Sequence, residues 1–384
     1  MPRKLETMLA QAGSKWDSKT GALSMPIYQC ASFRHPGLGQ STGFDYSRTS
    51  NPTRLTLENT LAELDGGAKA FAFGSGLAAI DAVLRLFAPG DKLVVTEDLY
   101  GGTFRLIEKL HKPHGVSAIY LDSSNQDSLE NALKTPGVRG LFLEIPTNPL
   151  LKVADLAAAS RAAKQHGVLV IVDNTFLTPA LFRPIDHGAD IVIYSATKYL
   201  NGHDDLVAGI AVAKDAAIGE KIAFIQNAAG AVLGPQDSWL LLRGLKTLSV
   251  RLERQEKNAN VIAGRLKEHP RVRKVNYPGL PDDPGHATLK RQGAGFGAMI
   301  SFELDNAAAL PSILSSVQVF LFAESLGGVN SLITYPAVQT HADIGPEIRA
   351  KLGINERLLR LSIGIENVEE LWNDLNRALA ASPA

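Results

Sequence analysis

The residues best placed to do chemistry are a lysine and an aspartate, each closing an apolar run. Lys198 ends the stretch Asp190-Ile-Val-Ile-Tyr-Ser-Ala-Thr-Lys198, and Asp173 ends Val168-Leu-Val-Ile-Val-Asp173. Both runs read as buried strands, and an ionised group left unpaired at a buried position costs several kcal/mol even after relaxation. The charges are tolerable if one group between them uses both, offering a carbonyl to the amine and a basic ring nitrogen to the acid.

Pyridoxal 5′-phosphate (PLP) has those two functions, and the sequence provides for its other parts. Only a neutral amine attacks an aldehyde, and desolvation with neighbouring cations brings a lysine from near 10.4 toward about 7–8. An aspartate on the pyridine nitrogen keeps it protonated through a charge-assisted hydrogen bond of about 1.5–3 kcal/mol. Standing alone, Lys198 also reads as a solvated residue after a strand, and Asp173 as a cap for the segment that follows it. The phosphate has a candidate cradle in Phe73-Gly-Ser-Gly-Leu77, which follows a strand and opens a helix with free N–H groups at its start. The same letters satisfy the dinucleotide fingerprint G-x-G-x-x-A, so a nicotinamide enzyme is the competing reading. Ser195 and Thr197 flank the lysine motif and can add hydroxyl donors, although strand-end capping would use them equally well.

Three further features qualify as site components. Tyr100, in Asp98-Leu-Tyr-Gly-Gly-Thr103, follows a strand and can stack on a planar ring. Arg360, within Leu358-Leu-Arg-Leu-Ser-Ile-Gly364, calls for an anion, either a substrate carboxylate or an internal acid. His203-Asp-Asp205 invites a metal, but three adjacent side chains cannot all converge and no second ligand cluster is evident, so no metal is assigned.

Size and composition bound the rest. The chain has 384 residues, 45% of them apolar and 20% charged, which implies a globular protein of two domains. Thirty-nine basic residues balance thirty-nine acidic ones, so no net field favours nucleic acid or an anionic membrane. Cys30 is the only cysteine, which excludes an internal disulfide framework and fits a reducing compartment. The first residues, Met-Pro-Arg-Lys-Leu-Glu-Thr, lack the apolar core of a signal peptide, and the expected location is cytoplasmic.

The elements that must position these groups follow from periodicity. Residues 1–50 look irregular, with aromatics among Gly, Ser and Pro, and are expected to lie on another surface. A helix should start near Asn51-Pro-Thr and end at Gly66-Gly67. Strands are expected at 69–73, 92–96, 117–121, 140–145, 168–172, 189–194 and 206–213, with a helix at 78–87. Helix-length separations imply a mainly parallel sheet with both faces covered. A helix at about 238–269 should lead to strands at 297–304 and 358–365 and helices at 307–316 and 368–381, with 277–297 as a loop. The fold class is thus α/β, with 1–55 as an N-terminal segment, 56–240 as the large domain and 241–384 as a smaller C-terminal α/β domain.

Read together, these motifs resemble the Cys/Met-metabolism family of PLP enzymes, the trans-sulfuration branch of the type I aminotransferase-like fold. The resemblance spans nearly the whole chain. Its strongest segments are Phe44-Asp-Tyr-Ser-Arg-Thr-Ser-Asn-Pro-Thr-Arg54, Gly74-Ser-Gly-Leu-Ala-Ala79, Asp98-Leu-Tyr-Gly-Gly102, Pro146-Thr-Asn-Pro149, Val172-Asp-Asn-Thr175, Ser195–Lys198 and Ala323-Glu-Ser-Leu-Gly-Gly328. It implies that Lys198 bonds to the cofactor aldehyde and then shuttles protons. Asp173 would hold the ring nitrogen, Tyr100 would stack on the ring, and Gly76, Leu77, Ser195 and Thr197 would hold the phosphate. Tyr46 and Arg48 would reach the phosphate of a neighbouring subunit, giving a shared site and a homotetramer built as a dimer of dimers. Asp45, Arg105, Asn148, Glu324, Ser325 and Arg360 would face the substrate, Asn148 also lying toward the cofactor. Within the family, Glu324-Ser-Leu-Gly resembles cystathionine γ-synthases and γ-lyases, whereas many β-lyases lack an acid there. Asp45 is more similar to the γ-synthases. Gly102 departs from methionine γ-lyases, which have a cysteine at the matching position. Ile333-Thr-Tyr-Pro-Ala-Val-Gln-Thr-His341 resembles the bacterial γ-synthase and O-acetylhomoserine thiolyase group. The expected reaction is γ-replacement on an O-acyl-homoserine by cysteine or sulfide, with cystathionine β- or γ-cleavage as the alternative.

Overall fold

Seven strands, most of them buried along nearly their whole length, organise the first part of the chain. They are β1 (Lys69–Phe73), β2 (Lys92–Thr96), β3 (Ser117–Leu121), β4 (Val138–Glu144), β5 (Leu169–Asp173), β6 (Ile191–Ser195) and β7 (Gly209–Ala213). The computed structural model describes residues 3–14, 17–342 and 344–381; Met1 and Pro2, where the reading of the N-terminus begins, lie outside the described residues. The strands lie in the order β1-β7-β6-β5-β4-β2-β3. β2 through β6 pair in parallel, while β7 runs antiparallel to both β1 and β6. Because side chains alternate along a strand, Leu93, Val95, Phe142, Ile171 and Ile193 pack on one face, and Val94, Leu141, Val170, Val172 and Val192 on the other. Both faces are covered by helices, which is why these strands are apolar throughout.

The second sheet has five strands: β8 (Val272–Asn276), β9 (Met299–Leu304), β10 (Leu321–Phe322), β11 (Leu332–Thr334) and β12 (Leu358–Ser362). Their order is β10-β11-β12-β9-β8, antiparallel except between β10 and β11. Ile300, Phe302 and Leu361 of this sheet belong to the same continuous core as Val94 and Val172 of the first. The helix expected at 238–269 is two helices, Pro235–Leu245 and Leu248–Lys267. The expected domain boundary at 240 falls inside the first of them. β8, β10 and β11 were not anticipated, nor were the short helices Leu5–Ala10 and His286–Gln292, the latter inside the expected loop. The helix expected from Ala78 starts two residues earlier, at Gly76, because Ser75 Oγ accepts the Ala78 N–H at 3.1 Å and caps it there. Among the described residues no helix is long and apolar enough to cross a membrane.

The N-terminal arm is fastened by one helix. In Pro52–Asp65, Asn51 Oδ1 accepts from Thr53 N at 3.0 Å, Pro52 occupies the first turn, and Gly66 ends the helix at φ 73°. Arg54, buried in this helix, donates to the Ser47 carbonyl at 2.7 Å and the Arg48 carbonyl at 3.1 Å. Its Nε lies 3.5 Å from Glu58 Oε1, which in turn accepts the Ala72 N–H of β1 at 2.9 Å. Burial pushes the Glu58 carboxyl up to about 7. Replacing Arg54 with alanine releases the arm and leaves the buried Glu58 without its cation. The expected cost is about 3–5 kcal/mol, read as a lower urea midpoint, with faster limited proteolysis in the arm.

Candidate active site

Two adjacent strand ends and one crossover bring the chemistry together. β4 and β5 pair so that Glu144 lies across from Asp173, and β6 follows with Ser195 at its end. The sequence readings converge on one cavity of about 250 Å³, walled by Gly76, Leu77, Tyr100, Asn148, Asp173, Ser195, Thr197, Lys198, Glu324, Ser325 and Arg360. Asp45, Tyr46, Arg48 and Arg105 do not wall it. Asp45 Oδ1 accepts from Ser41 Oγ at 2.7 Å, and Arg48 Nη1 donates to the Asn227 carbonyl at 2.6 Å and lies against the Tyr46 ring. Tyr46 is 46% exposed, so this segment faces outward from its own chain. Arg105 is also exposed, at the end of helix Gly101–Arg105, near enough to Tyr100 for its charge to act on the phenol.

Lys198 Nζ donates to Ser325 Oγ at 2.9 Å, and Ser325 comes from the far side of the cavity. Burial and the nearby Arg360 guanidinium bring the lysine down to about 8, within reach of the neutral form. The backbone that follows is clamped: Arg251, on helix Leu248–Lys267, donates to the carbonyls of Tyr199 at 2.9 Å and Gly244 at 3.0 Å. Asp173 Oδ1 accepts from Thr175 N at 3.0 Å and Thr175 Oγ1 at 2.6 Å, yet burial still pushes its carboxyl up to about 6. Without a cation, that acid is held in an environment that favours the proton.

Arg360 is 1% exposed. It donates to Asn148 Oδ1 at 2.8 Å and to the Ser325 carbonyl at 3.2 Å, while Nε has no partner. Burial lowers it to about 10, and among the described residues no carboxylate forms an ion pair with it. The internal-salt-bridge alternative is therefore absent, and the guanidinium remains available to an anion. Asn148 is fixed from behind, its carbonyl accepting His341 Nε2 at 2.9 Å. Burial holds the imidazole at about 4, so it is neutral, and Thr340 Oγ1 lies 2.8 Å from its Nδ1.

The opposite end of the cavity suits a phosphate. Ala78 N is taken by Ser75 Oγ and Ala79 N by the Ser75 carbonyl, while the first N–H groups of a helix have no acceptor within it. The Gly76 and Leu77 N–H groups are therefore the ones left to a ligand. A Cβ on Gly76 would sit 3.0 Å from Ser195 Cβ and 3.1 Å from its Cα, so the turn lies close against the serine and a side chain there would press on it. Thr197 lies on the same wall, with its hydroxyl exchanging two hydrogen bonds with the Ala208 backbone. A phosphate cradle, a desolvated amine, a proton-favouring acid and an unpaired guanidinium on one cavity fit PLP with an amino-acid substrate. The dinucleotide reading does not fit, because β1 leading into this turn is an antiparallel edge strand. A larger cleft of about 750 Å³ lies behind the Asn148 loop, but its Lys152 and Lys267 already hold Asp122 and Asp282.

Sequence reasoning missed Glu144, Thr175, Thr340 and His341. Glu144 and Thr175 carried a signal in their positions, each beside a strand end already assigned to the site. Thr340 and His341 close the family-like stretch 333–341, but nothing in that stretch marks them as neighbours of Asn148, because a turn distant in sequence brings them in. His203, considered for a metal, bonds through Nδ1 to the Asn201 carbonyl at 2.7 Å, and no group of potential metal ligands occurs among the described residues.

Comparison with known proteins gives a consistent result. The Cys/Met metabolism PLP-dependent enzyme family matches across residues 6–380. The chain is 49% identical over 379 residues to a Bacillus subtilis cystathionine gamma-synthase/O-acetylhomoserine (thiol)-lyase, covering 99% of this chain and 97% of that one. It is 48% identical over 375 residues to a Lactococcus lactis cystathionine beta-lyase, covering 98% of each. The structure of Lactobacillus plantarum cystathionine gamma-lyase complexed with L-serine superposes with a TM-score of 0.96 at 45% identity, covering 99% of this chain and 100% of that one.

The lysine environment makes a direct prediction. In the apoprotein the Lys198 amine is protonated and unreactive below its midpoint, so trapping of a small aldehyde by borohydride should rise with pH through about 8. Arg360→Gln removes the nearby positive charge and should move that midpoint upward, as mass spectrometry of the reduced adduct across a pH series would show. A wild-type midpoint at the ordinary 10.5 would contradict the desolvated geometry.

Proposed function

The chain belongs to the Cys/Met metabolism PLP-dependent enzyme family, and on that premise we propose that it catalyses γ-replacement, joining cysteine or sulfide to the Cγ of an O-acyl-homoserine. PLP supplies the electron sink that stabilises substrate carbanions. The observation that carries the reaction choice is Glu324 on the cavity wall, next to the serine that receives the Lys198 amine. An acid there suits a substrate that must lose a group and gain a thiol one carbon further out than in β-cleavage.

The roles follow from position. Lys198 holds the cofactor and carries protons, its lowered affinity letting it release and regain one near neutrality. Asp173 holds the proton on the ring nitrogen, and Tyr100 covers the ring. The N–H groups of Gly76 and Leu77, with Ser195 and Thr197, take the phosphate. Arg360 binds the substrate α-carboxylate, oriented by Asn148 and Ser325. Arg105 would contact the substrate from the cavity mouth, and Asp45 would do so in the cavity of a neighbouring subunit. The exposed segment Asp45 to Arg48, tied down by Arg54 and absent from its own cavity wall, supports a site completed by a neighbouring subunit in a homotetramer. The single exposed cysteine, Cys30, suits a cytoplasmic setting. Cystathionine cleavage is the second reading, favoured by the 48% identity to a β-lyase.

Incubation of the PLP-loaded enzyme with O-acetyl- or O-succinylhomoserine and cysteine should give cystathionine. Pyruvate from cystathionine alone would instead establish β-cleavage, and 2-oxobutyrate γ-cleavage. Asp173→Asn should lower turnover by about ten- to a hundredfold, the worth of one charge-assisted hydrogen bond. For the shared site, Lys198→Ala and Arg48→Ala are each expected to be inactive, while co-refolding the two should restore measurable activity. No recovery on mixing would mean that each chain completes its own site.

A further inference from the structure

Glu144 is a buried acid in the cavity wall for which the reading above has no use. It is 6% exposed and lies across from Asp173 in the β4–β5 register. Its Oε2 accepts the Tyr100 N–H at 3.1 Å, and the Asn148 backbone N–H is near enough to favour its charged form, against burial and the Asp173 charge, which push the carboxyl up. Oε1 has no partner, and no cation forms an ion pair with Glu144 among the described residues. Asp98, bonded to Thr147 through Oδ2, is another buried acid nearby.

Tyr100 needs an anchor of this kind. The sheet stops setting its height at Thr96, the last residue of β2. The tyrosine then caps helix Gly101–Arg105 with no side-chain hydrogen bond, and its ring folds over Gly102, where a Cβ would collide with it. Below the ring, packing alone decides its position. On the backbone side, the Glu144 carboxyl is the group that connects it to the sheet.

We propose that Glu144 is a positioning residue for the cofactor: its carboxyl ties the Tyr100 turn to the strand end beside Asp173, fixing the stacking phenol against the acid that holds the ring. Asp173 takes the negative charge when the ring nitrogen is protonated, and a second anion one strand away would oppose it. Glu144 therefore acts as a neutral acid, through shape and hydrogen bonds. This rests on the roles of Tyr100 and Asp173 given above, and not on which carbon–sulfur bond is handled.

The test uses the PLP-loaded protein and reads equilibrium cofactor affinity and the visible circular dichroism of the bound ring, with apoprotein melting as a control. Glu144→Gln keeps the acceptor and neutrality, and both signals should stay at wild-type values. Glu144→Ala and Glu144→Asp remove or shorten the tie; affinity should fall about tenfold or more, and the dichroism should change while apoprotein melting holds. The proposal is overturned if Glu144→Gln is as impaired as Glu144→Ala, since charge would then be the working property. Wild-type dichroism and affinity in Glu144→Asp would also overturn it, a comparison that survives if Glu144→Ala does not fold. Tyr100→Ala separates the two levels: unchanged dichroism there would refute the stacking role itself.

Discussion

Desolvation is the constraint on which the site depends. Lys198, Asp173, Glu144 and Arg360 are ionisable groups placed where water cannot solvate them fully, and each is displaced toward its neutral form. In a surface pocket the same four residues would form ordinary ion pairs. Here geometry prevents that: Arg360 is turned onto Asn148 and the Ser325 carbonyl, and Lys198 onto a hydroxyl. The amine, the Asp173 acid and the guanidinium stay unsatisfied by protein, which leaves the first two to a ligand carrying an aldehyde and a ring nitrogen and the third to the anion of a substrate. Binding such a group relieves several separate costs at once.

The two sheets divide this work. The parallel strands β4, β5 and β6 end together, and their C-terminal ends hold Glu144, Asp173 and Ser195 at fixed spacing. Crevices at strand ends of open α/β sheets are the usual place for ligands. The antiparallel sheet contributes the opposing wall, with Arg360 in β12 and Ser325 in the connection between β10 and β11. One continuous apolar core joins the sheets, so the spacing between the amine and the guanidinium is set by packing and not by a loop.

How much of this could be read from the chain depends on what covered each residue. Strands 69–73, 92–96 and 117–121 were readable to the residue, because β1 and β2 are buried and, but for Thr96, apolar beyond their opening lysines, and the half-buried edge strand β3 still carries the unbroken run Ala-Ile-Tyr-Leu after Ser117. β8 was not, since Val272–Asn276 is an edge strand with exposed Arg273 and Lys274 in its middle. β10 has two exposed residues and no pattern to detect. The helix expected from 238 to 269 kept its apolar spacing across Lys246-Thr247, where the backbone breaks, and periodicity carries no mark of such a break. Lys198 and Asp173 stood out because charges ended apolar runs. Glu144 did the same after Leu141-Phe-Leu143, but without a partner motif it resembled an acid entering solvent. His341 meets Asn148 only through tertiary folding.

The Arg251 clamp has a consequence for how such a protein can be divided. The residues carrying the first sheet, including Lys198 and Asp173, end before residue 248, and as a fragment they would hold every strand on which the lysine sits. Yet the cation gripping the carbonyl just after Lys198 comes from helix Leu248–Lys267, the hydroxyl on its amine from Ser325, and the neighbouring positive charge from Arg360. A gene cut between the sheets would thus encode a first half with the lysine and the acid but without the clamp, the hydroxyl and the cation around the amine. The environment of this lysine belongs to neither half alone.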